Sequence, residues 1–161
     1  MFLDIFIIEN IPNNPIIRKI KGISVNMLEF ISGQVLMVEN LGVAEKQFFM
    51  KFGRMNYTIR KAIGILFSFR SSTSWFNSLD KAFQYHDNNS EYCGLPAGRK
   101  HYFGECHLRK DLLPAKTVPF CDIQAPVFNN VDAYLTKLYG NYMTIPSASK
   151  REKHYLKELR L

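Results

Sequence analysis

The chain has little cysteine, a single tryptophan and no long apolar run, and two of these shortages exclude a class of protein. Three cysteines, Cys93, Cys106 and Cys121, are too few and odd in number for a disulfide framework. A reducing, cytoplasmic setting is therefore expected. Apolar runs such as Ile63 to Phe69 fall far short of the roughly 18 residues needed to cross a bilayer. The first apolar stretch has no basic segment before it, so a secretory leader is not expected. There is no internal repeat and no low-complexity tract. Two further absences concern chemistry. No two of the 14 Asp and Glu residues are separated by one residue, the spacing that sets two carboxylates on one face of a strand. No Gly-Gly or Gly-Ser pair is available to cradle a phosphate.

What is present is basic and aromatic. The 161 residues, enough for one domain, carry 13 Phe and 8 Tyr and a net charge of +7. Residues 99–110 and 148–161 hold most of the positive excess. Such a balance favours anionic partners: phosphates, nucleotides or an acidic membrane face. Nucleic acid is not expected, because no finger, helix-turn-helix or RNP-like motif accompanies the charge. Cys93, His101, Cys106, His107 and Cys121 lack the tight paired spacing of a zinc site.

Along the chain, Phe2 to Ile8 reads as a buried strand carrying Asp4, followed by a turn over Asn10 to Asn14. Asn14-Pro15 is a helix start, with Asn as cap and Pro in the first turn. Ile16, Ile20, Ile23, Met27 and Ile31 then recur at helical spacing to about Val38, with Ile17, Leu28 and Val35 as a second stripe. A helix this wide-faced is expected to be deeply buried or to face a membrane in part. A second helix is expected over Tyr57 to Phe69. A third starts near Ser74, with Trp75, Leu79, Ala82, Phe83 and His86 on one side. Two short strands are expected around Cys121-Asp122, then a helix capped by Asn130 and stopped by Gly140. Ser149 and Glu152 have the spacing of a capping box for a last helix. The order gives an α+β fold, helix-rich with a few short strands.

The C-terminal block resembles the signature of the LicD family of phosphotransferases. It runs Ala125-Pro126-Val127-Phe128-Asn129-Asn130-Val131-Asp132-Ala133-Tyr134-Leu135, then Tyr139-Gly140-Asn141-Tyr142-Met143, then Pro146, Arg151 and His154. Leu3 to Asn14 is similar to the family's Ile-Asp-Ile-Phe segment, and Phe103 with Lys110 to Pro114 fits the region between. The chain departs from the pattern at Ile7, Glu9, Phe128, Val131, Asn141 and Ser147.

The resemblance implies a nucleotidyltransferase-like fold, present in part. It implies transfer of a phospho-alcohol, typically phosphocholine, from a CDP-activated donor such as CDP-choline to a cell-surface glycan of teichoic acid or lipopolysaccharide. A divalent cation, Mg²⁺ above all, would neutralise the donor diphosphate. By resemblance Asp4 holds the third metal carboxylate and is the catalytic acid. Arg151, His154, Tyr139 and Tyr142 border the substrate phosphates. The family's glycine motif and acidic pair precede the segment that Asp4 occupies. Residues 1–161 are accordingly expected to be a single LicD-type domain without that N-terminal part, inactive alone and completed by an upstream fragment. A non-catalytic domain touching a partner, or the inner face of a membrane peripherally, is the alternative.

Overall fold

A computed structural model describes residues 5–41, 53–147 and 151. Two small antiparallel sheets and a set of helices make up these residues. The long helix α1, Pro15–Glu39, organises the first half. Its start is set as the residues dictate: the Asn14 side chain accepts from the backbone N–H of Ile16 and Ile17, and Pro15 needs no donor of its own. Helices α2, Arg54–Leu66, and α3, Ser72–Phe83, pack along α1. Gly64 of α2 lies against the Gln34 carbonyl of α1, where a methyl group would overlap backbone.

The α2–α3 connection is held by its own residues. Arg70 Nη2 donates to Ser74 O and to the Ser74 and Ser78 hydroxyls, and its guanidinium lies 4.5 Å from the Trp75 ring centre. Trp75 Nε1 donates to Phe67 O at 3.0 Å, while Phe67 and Phe69 meet the indole edge-on. The buried indole thus has its polar atom satisfied. Ser72 donates to Glu39 through both its N–H and its hydroxyl, which ties the start of α3 to the end of α1. These bonds favour the ionised Glu39 carboxylate and hold its pKa below the usual range.

Strands β1, Glu9–Ile11, β2, Tyr92–Gly94, and β3, Cys106–Leu108, form an antiparallel sheet in the order β1-β2-β3. Glu9 pairs with Gly94, and Cys93 pairs with His107. Two short helices, α4 (His101–Gly104) and α5 (Arg109–Leu112), flank β3. Strands β4, Lys116–Phe120, and β5, Ile123–Val127, make an exposed hairpin closed by Cys121-Asp122, with Cys121 at φ 52°. Helix α6, Val131–Tyr139, starts on Asn130, whose side chain accepts from Ala133 N, and stops at Gly140 with φ 69°. The expected hairpin, cap and glycine stop are all present.

Two buried clusters hold the fold. Ile11, Val25, Leu79 and Tyr102 join the sheet to α1, α3 and α4. Cys93, Leu95 and Leu112 form the second, with Ile8, Leu113, Phe128 and Tyr134 packed around them.

Four expectations change, the first being the second helix, which runs over Arg54–Leu66 and not Tyr57 to Phe69. Residues 5–8 form no strand; pairing begins at Glu9, because β2 ends opposite it at Gly94. Ile5 and Ile7 are exposed accordingly. The third helix begins two residues earlier than its apolar pattern, on the Ser71 cap, and ends before His86, which is exposed. The largest change is in α1. Its buried face is Gly22, Val25, Ser32, Gln34, Val35 and Met37, whereas Ile16, Ile20, Ile23 and Met27 are 47–69% exposed. The helix is neither deeply buried nor packed through its apolar stripe. The expected last helix beginning at Ser149 lies outside the described residues.

Candidate functional site

The signature block is built around α6. Asp132, in its first turn, accepts from the Tyr142 hydroxyl at 2.9 Å, so the segment after Gly140 folds back on the helix. That bond keeps the phenol proton and raises the Tyr142 pKa. Tyr139 is exposed at the end of α6, and the Arg99 guanidinium stands 5.7 Å from its ring centre. Arg151 is exposed and donates from Nε to the Pro146 carbonyl at 2.9 Å. Asp4 and His154 lie outside the described residues. The structure therefore brings Tyr142 to Asp132 and Tyr139 to Arg99, and it uses part of the Arg151 guanidinium on the backbone of its own segment.

Beneath α6 lies a buried acid–base pair. Glu105 and His107 are both almost wholly buried, with Glu105 Oε2 and His107 Nε2 3.7 Å apart. That separation is beyond a hydrogen bond. Neither atom has a hydrogen-bond partner among the described residues. Glu105 Oε1 accepts from Lys100 N, and the His107 ring stacks at 5.2 Å on Tyr134, which in turn meets Phe128 at 4.5 Å. Burial, aided by the nearby Lys137 cation, lowers the His107 pKa, although Glu105 and Asp111 oppose this. The imidazole is neutral at neutral pH.

Next to this pair, a cleft of about 350 Å³ is lined by Pro15, Arg18, Lys19, Tyr92, Phe103, Cys106 and Lys137. Lys137 Nζ donates to the Cys106 carbonyl, and the Arg18 guanidinium lies 4.0 Å over the Tyr92 ring. Burial raises the pKa of Cys106, and likewise of Cys93 despite the nearby Arg109 cation. Both stay thiols, so neither is an activated nucleophile. Between α1 and α4, His101 sits at φ 54° and its Nδ1 lies 2.9 and 3.0 Å from the two Glu29 oxygens. Asn26, Gln34 and Arg60 complete that polar cleft of about 410 Å³. A surface histidine oriented by a carboxylate can pass a proton, given a substrate within reach.

No group of three or more His, Cys, Asp or Glu side chains among the described residues is placed to hold a metal ion. The described residues therefore supply no ligand set for the expected Mg²⁺. Sequence reasoning missed Arg18, Lys19, Glu105 and Lys137, and met His107 only within a cysteine and histidine set without zinc spacing. They come from α1, β3, α6 and, for Glu105, the turn between α4 and β3, so no linear motif joins them. The positive excess over residues 99–110 comes from Arg99, Lys100, Arg109 and Lys110, none of which lines the cleft. Compared with protein-family models, curated proteins and solved structures, the chain matches none.

Proposed function

We propose that this chain belongs to a LicD-like phosphotransferase of nucleotidyltransferase-like fold, which moves a phospho-alcohol such as phosphocholine from a CDP-activated donor to a cell-surface glycan. One observation supports the reading most directly. The two segments that carry the resemblance meet in one core: Ile8 from the first, and Phe128 and Tyr134 from the second, pack on Cys93, Leu95 and Leu112. Motifs that belong to one site need such proximity. Asp4, near the first of these segments, is the proposed metal and catalytic carboxylate. Arg151, His154, Tyr139 and Tyr142 are the proposed phosphate-side residues.

These 161 residues contain no closely spaced acidic pair and no paired-glycine turn. By the resemblance three carboxylates hold the Mg²⁺, an acidic pair and a third acid, and this chain matches only the third, Asp4. The proposal therefore includes inactivity of the chain by itself, with the missing carboxylates supplied by a second polypeptide segment. Losing the metal alone would lower the rate by roughly three orders of magnitude or more.

The test is a transfer assay with labelled CDP-choline, Mg²⁺ and a teichoic-acid or lipopolysaccharide acceptor. It is run on the chain alone and with a co-expressed segment bearing an acidic pair. Transfer is expected only with the added segment, and Asp4→Ala is expected to abolish it. Robust transfer by the chain alone, abolished by Asp4→Ala, would overturn the proposed inactivity, and no transfer with the added segment would overturn the transferase reading.

A second reading rests on the exposed stripe Ile16, Ile20, Ile23 and Met27 together with the net positive charge: a non-catalytic domain that lies on an anionic membrane face. No described helix is long and apolar enough to cross a membrane, so this contact would be lateral. Co-sedimentation with anionic vesicles that Ile20→Asp abolishes, combined with no transfer under any condition, would favour it.

A further inference from the structure

Among the described residues, cations and no carboxylate line the cleft beside α6. Arg18, Lys19 and Lys137 line it, and none of the other lining residues is a carboxylate. Arg18 and Lys19 come from the first turns of α1, and Lys137 from α6, so two separate parts of the chain bring like charges to one recess. Lys137 spends one donor on the Cys106 carbonyl. Arg18 is partly committed too, against the Tyr92 ring and the Cys106 sulfur. Its Nη1 is nevertheless buried with no hydrogen-bond partner among the described residues. A buried guanidinium nitrogen without an acceptor is costly, and each added like charge in a recess raises that cost. The Cys106 thiol does not relieve it, because burial keeps the thiol protonated.

We infer that this cleft is a binding site for a phosphate-bearing ligand, with Arg18 and Lys137 as the main phosphate donors and Lys19 at the rim. Guanidinium and ammonium groups converging on one recess match the geometry and charge of phosphate oxygens. Exposed Phe103 and Pro15 supply an apolar wall for whatever the phosphate is attached to. The volume of about 350 Å³ suits a phosphate or diphosphate with part of its substituent. The inference does not require the transferase reading, since it rests on the charges and the unpaired nitrogen alone.

The experiment is titration calorimetry of the full chain with pyrophosphate and with cytidine diphosphate at low ionic strength, alongside sedimentation with vesicles of phosphatidic acid in phosphatidylcholine. Saturable binding tighter than about 1 mM is expected for at least one probe, falling with added salt. Lys137→Gln and Lys19→Gln together are expected to weaken it about tenfold to a hundredfold, because each removes a charged donor. Arg18→Gln is expected to do so alone. Should Arg18→Gln fail to fold by circular dichroism, the double lysine variant decides. Lys116→Gln, on the exposed β4–β5 hairpin, removes one charge away from the cleft, as Arg18→Gln does within it, and should leave binding unchanged. Binding of the soluble anions identifies a free phosphate compound as the ligand. Cleft-dependent binding of phosphatidic acid vesicles alone identifies a lipid headgroup. No binding of any probe at 10 mM (about a hundredfold above ordinary metabolite affinities), or equal weakening by Lys116→Gln, would overturn the assignment. Phosphate binding by the chain without any transfer when the acidic-pair segment is added would count against the transferase reading only.

Discussion

Gly94 lies so close to Glu105 that no side chain fits between them: a Cβ built on Gly94 would overlap the Glu105 carbonyl oxygen. The contact sits where β2 leaves the sheet, and Leu95 N donates to that same carbonyl. Gly94→Ala should therefore separate β2 from the approach to β3. A loss of about 3 kcal/mol is expected in urea unfolding, at the upper end for overpacking. A loss under about 0.5 kcal/mol would show that the two backbones are not in contact.

His107 makes the fold acid-sensitive. Its folded-state pKa lies below the unfolded value of about 6.5 because burial disfavours the imidazolium. Between the two values the unfolded chain binds the extra proton. Its stabilising contribution is thus complete above about pH 7 and is lost as pH falls through the unfolded value toward the folded one. Unfolding free energy measured from pH 7.5 to 5 should fall by up to about 1.4 kcal/mol per unit on this account, and His107→Gln should flatten the slope. An unchanged slope in that variant would assign the sensitivity elsewhere.

Lys21 of α1 closes the C-terminal end of α3. Its ammonium donates to the Ala82 and Gln84 carbonyls at 2.6 and 2.9 Å, in a partly buried position that lowers its pKa. Cations stabilise helix C-termini, where carbonyls lack partners. Lys21→Met keeps the stem but removes the donor. A loss of about 1.5–3 kcal/mol is expected, read from the urea midpoint at unchanged m-value.

Tyr102 should behave in the opposite sense. Its hydroxyl is buried without a hydrogen-bond partner among the described residues, and burial pushes its pKa up to about 12. The ring packs in the core with Ile11, Val25 and Leu79. Tyr102→Phe keeps the ring and removes an unpaired polar atom, so stability should hold or rise by up to about 1 kcal/mol. A loss above that amount would reveal an acceptor for the hydroxyl.

The features legible in the sequence are those whose cause is local. Asn14 before Pro15, Asn130 before Val131 and Gly140 after Tyr139 each set a helix end through neighbouring atoms, and Cys121-Asp122 closes a hairpin between adjacent runs. Strands β1 to β3 are three residues each, and β1 finds its partner β2 far away in sequence. No periodicity develops over three residues, so the apolar run at residues 2–8 drew the assignment instead. The α1 stripe misled for a different reason. Helical spacing shows which residues share a face, but not whether another element covers that face, and here α2 and α3 cover the face with Val25 and Val35.

The site followed the same division. Tyr139 and Tyr142 stand at the end of α6, where their motif places them. The cleft cations Arg18 and Lys137 are joined only by the tertiary fold, and the sequence holds no trace of that meeting.

The Arg70 junction has a consequence in time as well as in space. All of its bonds, to Ser74, to Ser78 and through Trp75 to Phe67, span eight residues or fewer. Contacts this short close little loop entropy and form early. The sheet must wait for Asn10 to meet Cys93 across about half of the chain. The helical corner thus has the means to form first and to serve as the surface on which the slower strands assemble.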